Sequence, residues 1–265
     1  MLKKRIGVIG YGNMGSAILR GAIGTDAFGK EDFAVHDILS EPMKRAEDLG
    51  ISTADSNARL CDECDIILLA VKPQNAAEAL ESCKGHLKGK VLVSIVAGLW
   101  AERIAAMIDE NVRILRVMPN TPALVSEGMF VLCSDNTLNE EEITLMSQLF
   151  SSIGIIEWLP EKLIDVACGL SGGGPAYTAM FIEALADGAV KQGLPRDTAY
   201  KLAAQTCLGT SKMILDTKIH PGALKDMVSS PGGTTIEGVE ALEKGGFRYS
   251  VMNCIKAATE KSKEL

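Results

Sequence analysis

Residues 6 to 15, IGVIGYGNMG, limit what this chain can become more than any other stretch. An apolar, β-branched run ends in glycines spaced GxGxxG, and SAILRGAIG continues at once with a helical pattern. Strand, glycine turn and helix in that order open a βαβ unit, and each glycine has its own task. Gly10 permits the tight turn, Gly12 lets a pyrophosphate approach the backbone, and Gly15 lets the helix pack closely on the strand. The loop of Gly10, Tyr11, Gly12, Asn13, Met14 and Gly15 thus presents N–H groups at a helix N-terminus, where phosphate is bound. The spacing predicts a dinucleotide site.

From residue 5 to about 159 the same alternation repeats. RIGVIG, FAVHD, DIILLAV, KVLVSIVA, RILRVMP, GMFVLC and GIIEWL read as strands, separated by helical patterns. The central runs are continuously apolar, as expected of parallel strands covered by helices on both faces. After Pro160 the strand signal stops, and helical segments follow, punctuated by Gly and Pro. The expected class is α/β: an N-terminal Rossmann-type doubly wound sheet over residues 1–160, then an all-helical domain over 161–265. The helices carry wide faces of Ala, Leu and Met, more than about 100 helical residues can bury among themselves, so a homo-oligomer is expected, packing back on the first domain alone being the alternative.

A formal charge of −7 without clustered Lys and Arg argues against nucleic acid as a partner. The longest apolar runs, such as IILLAV, fall far short of the roughly 20 residues that span a bilayer. Met1 to Arg5 lead straight into the first strand with no signal-peptide pattern, so a cytoplasmic address is expected. Seven cysteines, odd in number and irregular in spacing, do not form a disulfide framework. Cys61 and Cys64 make a CxxC, but Cys83 stands alone and the histidines are scattered. No metal site is expected, and NARLCDECD reads as a polar helix leading into a buried strand.

Asp37 closes the second strand, where a carboxylate can take both ribose hydroxyls of NAD and repel a 2′-phosphate. It lies further from the glycines than the usual ~20 residues because GTDAFGKED lengthens the connection. Ser40, Lys44 and Arg45 nearby could still hold a phosphate. Lys72 stands at the carboxyl end of DIILLAV, where open sheets place ligands, and reads equally as a brace for its loop. Asn120 follows another strand end between Pro119 and Pro122; it either hydrogen-bonds a ligand or caps a turn. Of the histidines, His36 reads as a strand-surface residue and His220, beside Pro221, as a turn or cap.

Further stretches join the glycine loop: AVKP at 70 to 73, SIVAG at 94 to 98, RVMPNTPALVSEG at 116 to 128, LSGGGPAY at 170 to 177 and HPGALKDMVSSPGGTTIEGVEALEKGGFR at 220 to 248. In this series the chain resembles the pyrroline-5-carboxylate reductases over essentially its whole length. The resemblance implies NAD(P)H-dependent reduction of the cyclic imine 1-pyrroline-5-carboxylate to L-proline, with NADPH or NADH as cofactor. It also implies a helical domain intertwined in a homodimer, five of which can close a ring. Cofactor contacts would fall on Gly10 to Gly15, Asn57, Ala70, Val71, Lys72, Pro73, Ala97 and Gly98. Substrate contacts would fall on Ser230, Gly232, Gly233, Thr234 and Thr235. Gly173 stands where the family commonly has serine, so no hydroxyl role is carried to it. β-Hydroxyacid dehydrogenases share the GxGxMG opening but place a lysine after a second glycine-rich segment, which LSGGGPAYTAMF lacks. A nucleotide-sensing module without turnover is the other alternative.

Hydride transfer to a C=N bond needs donor and acceptor carbons roughly 3 to 3.5 Å apart and a protonated or hydrogen-bonded nitrogen. A substrate bound as the iminium needs no strong general acid. SSPGGTTIEG, residues 229 to 238, concentrates the backbone features that suit its carboxylate. Pro231 stops one helix, Gly232 and Gly233 reverse the chain, and Thr234 with Glu237 fits a capping box. Thr234 as N-cap would leave Thr235 in the first turn as the hydroxyl that meets the ring nitrogen, the expected catalytic contact.

Overall fold

The computed structural model describes residues 5–25, 27–108 and 111–264. Among them one sheet holds β1 (Ile6–Ile9), β2 (Phe33–His36), β3 (Ser52–Thr53), β4 (Ile66–Leu69), β5 (Val91–Ser94), β6 (Arg113–Met118), β7 (Gly128–Cys133) and β8 (Gly154–Leu159). The order across it is β3-β2-β1-β4-β5-β6-β7-β8. Neighbours run parallel from β3 to β6, β7 is antiparallel to β6, and β8 is parallel to β7. Strand order reverses between β1 and β4, which opens a crevice at their carboxyl ends.

The helices are α1 (Asn13–Ile23), α2 (Ser40–Asp48), α3 (Asn57–Glu63), α4 (Ala76–Glu81), α5 (Ala101–Met107), α6 (Glu140–Ser151), α7 (Ile164–Ala167), α8 (Gly174–Lys191), α9 (Arg196–Thr217), α10 (Pro221–Met227), α11 (Thr234–Lys244) and α12 (Phe247–Lys263). Successive strand residues face opposite layers. Ile6, Val8, Ile66, Leu68, Val91 and Val93 pack with Ile18 and Leu19 of α1 and Leu149 and Phe150 of α6. Ile9, Ile67, Leu69 and Leu92 pack on the other face with Leu60, Leu80 and Ile104 of α3, α4 and α5. All seven expected strands are present. β3 was not expected: it is two residues long, at the sheet edge and not buried. β7 departs from the expected parallel run, because residues 119–127 are too few for a crossover and bring the chain back beside β6.

By contact the chain forms two compact units, one running to Gly173 and resuming at Ala257, the other Gly174–Lys256. Ile164 and Ala167, beyond the strand-rich stretch, pack in the first unit with Met118, Val131 and Cys133. The end of α12 belongs there too, where the Ser262 hydroxyl donates to buried Asp165 Oδ1 at 2.9 Å. In the second unit Ala186, Ala199, Ala203 and Leu224 are the buried hydrophobic residues, whereas Met180 (69% exposed), Tyr249 (73%) and Met252 (72%) stand out in solvent. A single copy of this unit therefore leaves most of its apolar faces uncovered.

Among the described residues no helix is long and apolar enough to cross a membrane, and no group of three or more His, Cys, Asp or Glu is arranged to hold a metal. The CxxC lies where α3 runs into β4, with Cys61, Cys64 and Cys83 buried among the apolar side chains of α3 and α4. Burial pushes the Cys64 thiol up to about 11.

Candidate dinucleotide and substrate sites

At the carboxyl end of β1 the chain turns through Gly10, whose φ of +95° lies in the region that side chains avoid. A Cβ there would stand 2.8 Å from the Ala70 carbonyl oxygen, so the turn also needs glycine to fit against the end of β4. At Gly15 a Cβ would run into the Gly10 carbonyl oxygen; its absence lets α1 sit directly on the turn. Gly12 differs from both. It is the N-cap of α1, no side chain caps it, and a Cβ there would meet nothing within 4 Å. The helix opening thus faces open space with its first N–H groups, a cradle that fits a dinucleotide pyrophosphate.

Tyr11 serves this loop through its backbone. Its side chain is 1% exposed and lies in the core, with the hydroxyl unpartnered and its pKa raised by burial. Its N–H donates to Asp37 Oδ2 at 2.8 Å, and its carbonyl accepts from Arg45 Nη2 at 3.2 Å. Asp37 also accepts the Leu39 N–H at 2.9 Å through Oδ1, so the carboxylate ties the β2 end to the glycine loop. Each oxygen keeps a further lone pair for a ribose hydroxyl. Arg45 pairs in addition with Glu41 at 3.2 Å.

Three other expected contacts share this edge of the sheet. Ala70 and Val71 are half-buried after β4, Lys72 and Pro73 are exposed, and Pro73 opens a short 3₁₀ turn to Asn75. Ala97 and Gly98 follow β5, Ala97 half-buried against Met118 and its neighbours and Gly98 buried. Asn120, after β6, is a brace: its Oδ1 accepts the Met129 N–H at 2.9 Å and its Nδ2 donates to the Ser171 carbonyl at 3.1 Å. Ser171 lies in the π-helical turn Cys168–Gly172 that leads to α8. Asn57 sits in the first turn of α3 with its Nδ2 donating to Ser82 Oγ at 2.8 Å. Its Oδ1 is buried without a partner, so a ligand meets that acceptor only if the α3 entry opens.

In the second unit the loop between α10 and α11 is a type II turn. The Gly233 N–H donates to the Ser230 carbonyl at 3.0 Å, with Pro231 and Gly232 (φ +64°) at the centre. The expected capping box does not form: Gly233, in extended conformation and without a capping side chain, is the N-cap, and Thr234 already stands within α11. Ser230 Oγ occupies the place a Cβ on Gly233 would take, so the turn needs glycine there. Both Thr234 and Thr235 are therefore exposed in the first turn, beside Ser230 and Gly232, which are exposed too. His220 is the N-cap of α10, its Nδ1 accepting the Gly222 N–H at 3.1 Å, the capping role its Pro221 neighbour suggested. His36 Nδ1 lies 2.8 Å from the Ala54 carbonyl, and His86 Nδ1 lies 2.8 Å from Asp62.

A glycine turn at the switch point of a doubly wound sheet, followed by a helical unit, defines a dinucleotide-dependent oxidoreductase of Rossmann type. Residues 161–265 match the model for pyrroline-5-carboxylate reductase dimerisation, and residues 5–98 match that for NADP oxidoreductase, coenzyme F420-dependent. The pyrroline-5-carboxylate reductases of Methanosarcina acetivorans and Escherichia coli are each 42% identical over 100% of this chain and 99% of their own. The crystal structure of Plasmodium falciparum pyrroline carboxylate reductase with NADP bound superposes with a TM-score of 0.91 at 38% identity, covering 100% of this chain and 98% of that one. The chain belongs to the pyrroline-5-carboxylate reductase family.

Proposed function

We propose that the chain reduces 1-pyrroline-5-carboxylate to L-proline at the expense of NADH or NADPH. The observation that carries this reading is the open N-terminus of α1 at Gly12, joined to likeness with reductases of that name along the whole chain. The bound cofactor supplies the hydride. Gly10 to Gly15 hold its pyrophosphate, Asp37 takes the adenosine ribose, and Asn57 supports that half. Ala70 to Pro73 with Ala97 and Gly98 line the path toward the nicotinamide, and Asn120 fixes the turn beside it. Ser230 and Gly232 offer hydroxyl and backbone donors to the substrate carboxylate, Gly233 closes the turn beside them, and the positive end of α11 favours its charge. The Thr235 hydroxyl hydrogen-bonds the ring nitrogen, with Thr234 beside it. Residues 1–160 act as the cofactor domain and 161–265 as the substrate and dimerisation domain. The uncovered apolar faces of α8, α9 and α12 pair with a second copy, and five such dimers close a ring in the cytoplasm.

Initial rates with pyrroline-5-carboxylate and each nucleotide test the activity: oxidation of NADH or NADPH that depends on the imine supports it, and tight nucleotide binding without turnover refutes it. Asp37 makes NADH at least as good a cofactor as NADPH, and Asp37→Ser should raise the NADPH:NADH ratio of kcat/KM by about tenfold or more, the size of one lost charge–hydroxyl contact. Thr235→Ala should lower kcat about 100-fold, the scale of one oriented hydrogen bond in a transition state, and leave cofactor affinity within a factor of two.

A further inference from the structure

Arg116 lies in the middle of β6 and is 2% exposed, a full charge in a strand whose other side chains are largely apolar. Its Nη1 donates to Glu161 Oε1 at 2.9 Å, and the guanidinium carbon lies 5.8 Å from the centre of the Trp100 ring. The same Glu161 oxygen accepts the Ala101 N–H at 2.7 Å. Glu161 is itself held, its own N–H donating to Asp135 Oδ2 at 2.8 Å. Three segments thus converge on one carboxylate oxygen: the centre of β6, the turn after β8, and the first residue of α5. Trp100 and Ala101 close the loop that leaves β5, the loop that carries Ala97 and Gly98.

A buried ion pair is a poor device for stability alone, since an apolar pair of similar volume commonly does as well or better. Here the arrangement also leaves Arg116 Nη2 buried without a partner, which is itself costly. What the pair does supply is fixed geometry, because the planar guanidinium sets both the carboxylate and the indole, and the carboxylate sets the α5 start. We propose that Arg116 and Glu161 are positioning residues that hold the Ala97–Gly98 segment at the height the nicotinamide half of the cofactor requires. The inference rests on the reading of Ala97 and Gly98 as cofactor contacts. Neither Arg116 nor Glu161 touches the cofactor.

The test compares Glu161→Ala, Glu161→Gln, Arg116→Lys and Gly98→Ala. Dissociation constants for NADH and NADPH are read from cofactor fluorescence, beside kcat, the KM for pyrroline-5-carboxylate and the thermal midpoint. Both contacts fall on Oε1, so the amide oxygen of Glu161→Gln can keep them, and this variant should recover most of the affinity that Glu161→Ala loses. Glu161→Ala should weaken NADH and NADPH about tenfold and equally, because the nicotinamide half is common to both, and leave the imine KM within threefold. Arg116→Lys keeps the charge, loses the fork and should show the same split to a smaller degree; it decides the matter if Glu161→Ala fails to fold. A lowered thermal midpoint with unchanged dissociation constants in Glu161→Ala and Arg116→Lys, while Gly98→Ala binds weakly, overturns the brace alone. Unchanged constants in all the variants overturn the assignment of the loop and the brace with it.

Discussion

Gly10 and Gly12 are two residues apart and ask opposite things of a methyl group. At Gly10 a side chain meets both a positive φ and the Ala70 carbonyl, so Gly10→Ala should destabilise the fold by about 2 kcal/mol or more, seen in urea unfolding. At Gly12 there is room, φ is −72°, and Gly12→Ala should leave the thermal midpoint within 1–2 °C. The added methyl would stand where a pyrophosphate approaches, so the dissociation constants for NADH and NADPH should rise about tenfold or more. The tight turn at Gly10 and the close packing at Gly15 were legible in GYGNMG because spacing alone fixes them. Tyr11 was not: its position in the loop suggested a contact, whereas its side chain turns into the core and its backbone is taken by Asp37 and Arg45. Arg116 left a trace that could have been followed, a charged residue within the apolar run RILRVMP.

At the scale of elements, continuous apolar runs located the strands and Gly and Pro located the breaks between helices. Direction and capping were harder to read. β7 turns back on β6 because of a short connection, and α11 begins at Thr234 with Gly233 as its cap, a glycine that the preceding turn requires. The reverse case is α6, where Asn139 caps and Glu142 completes the box, each accepting or donating at about 3.0–3.1 Å. Glu142 is fully buried and also takes Arg113 Nε at 2.9 Å, while Arg113 Nη2 reaches the Gly89 carbonyl at 2.8 Å. Arg113 of β6 thus ties helix α6 and the turn before β5 to one guanidinium. Asn139→Ala should cost about 1 kcal/mol, the usual worth of a cap, and Glu142→Ala about 3 kcal/mol, since it also strips the guanidinium of its partner. Chemical denaturation midpoints at constant slope would separate the two.

For the whole molecule, composition already pointed to a partner, since the helical faces held more apolar surface than their own unit could cover. The exposure of Leu202, Leu208, Met213 and Met252 bears out that excess. Stability should then depend on concentration: the thermal midpoint should rise with protein concentration, and sedimentation should give at least twice the 28.2 kDa chain mass. Met252→Asp or Leu208→Asp should shift the species toward one copy and lower the midpoint together; a concentration-independent midpoint and a single-copy mass would refute pairing.

The hydrogen bond from Ser262 to Asp165 has a consequence for how the first unit is closed. The first unit is written in two separated pieces, and its buried carboxylate takes its hydroxyl from the second of them. Without the last turns of α12 the buried Asp165 lacks this hydroxyl donor, and a buried carboxylate without its partner is costly. The first unit is therefore closed by a segment that follows the whole of the second, and its stability depends on both of its pieces.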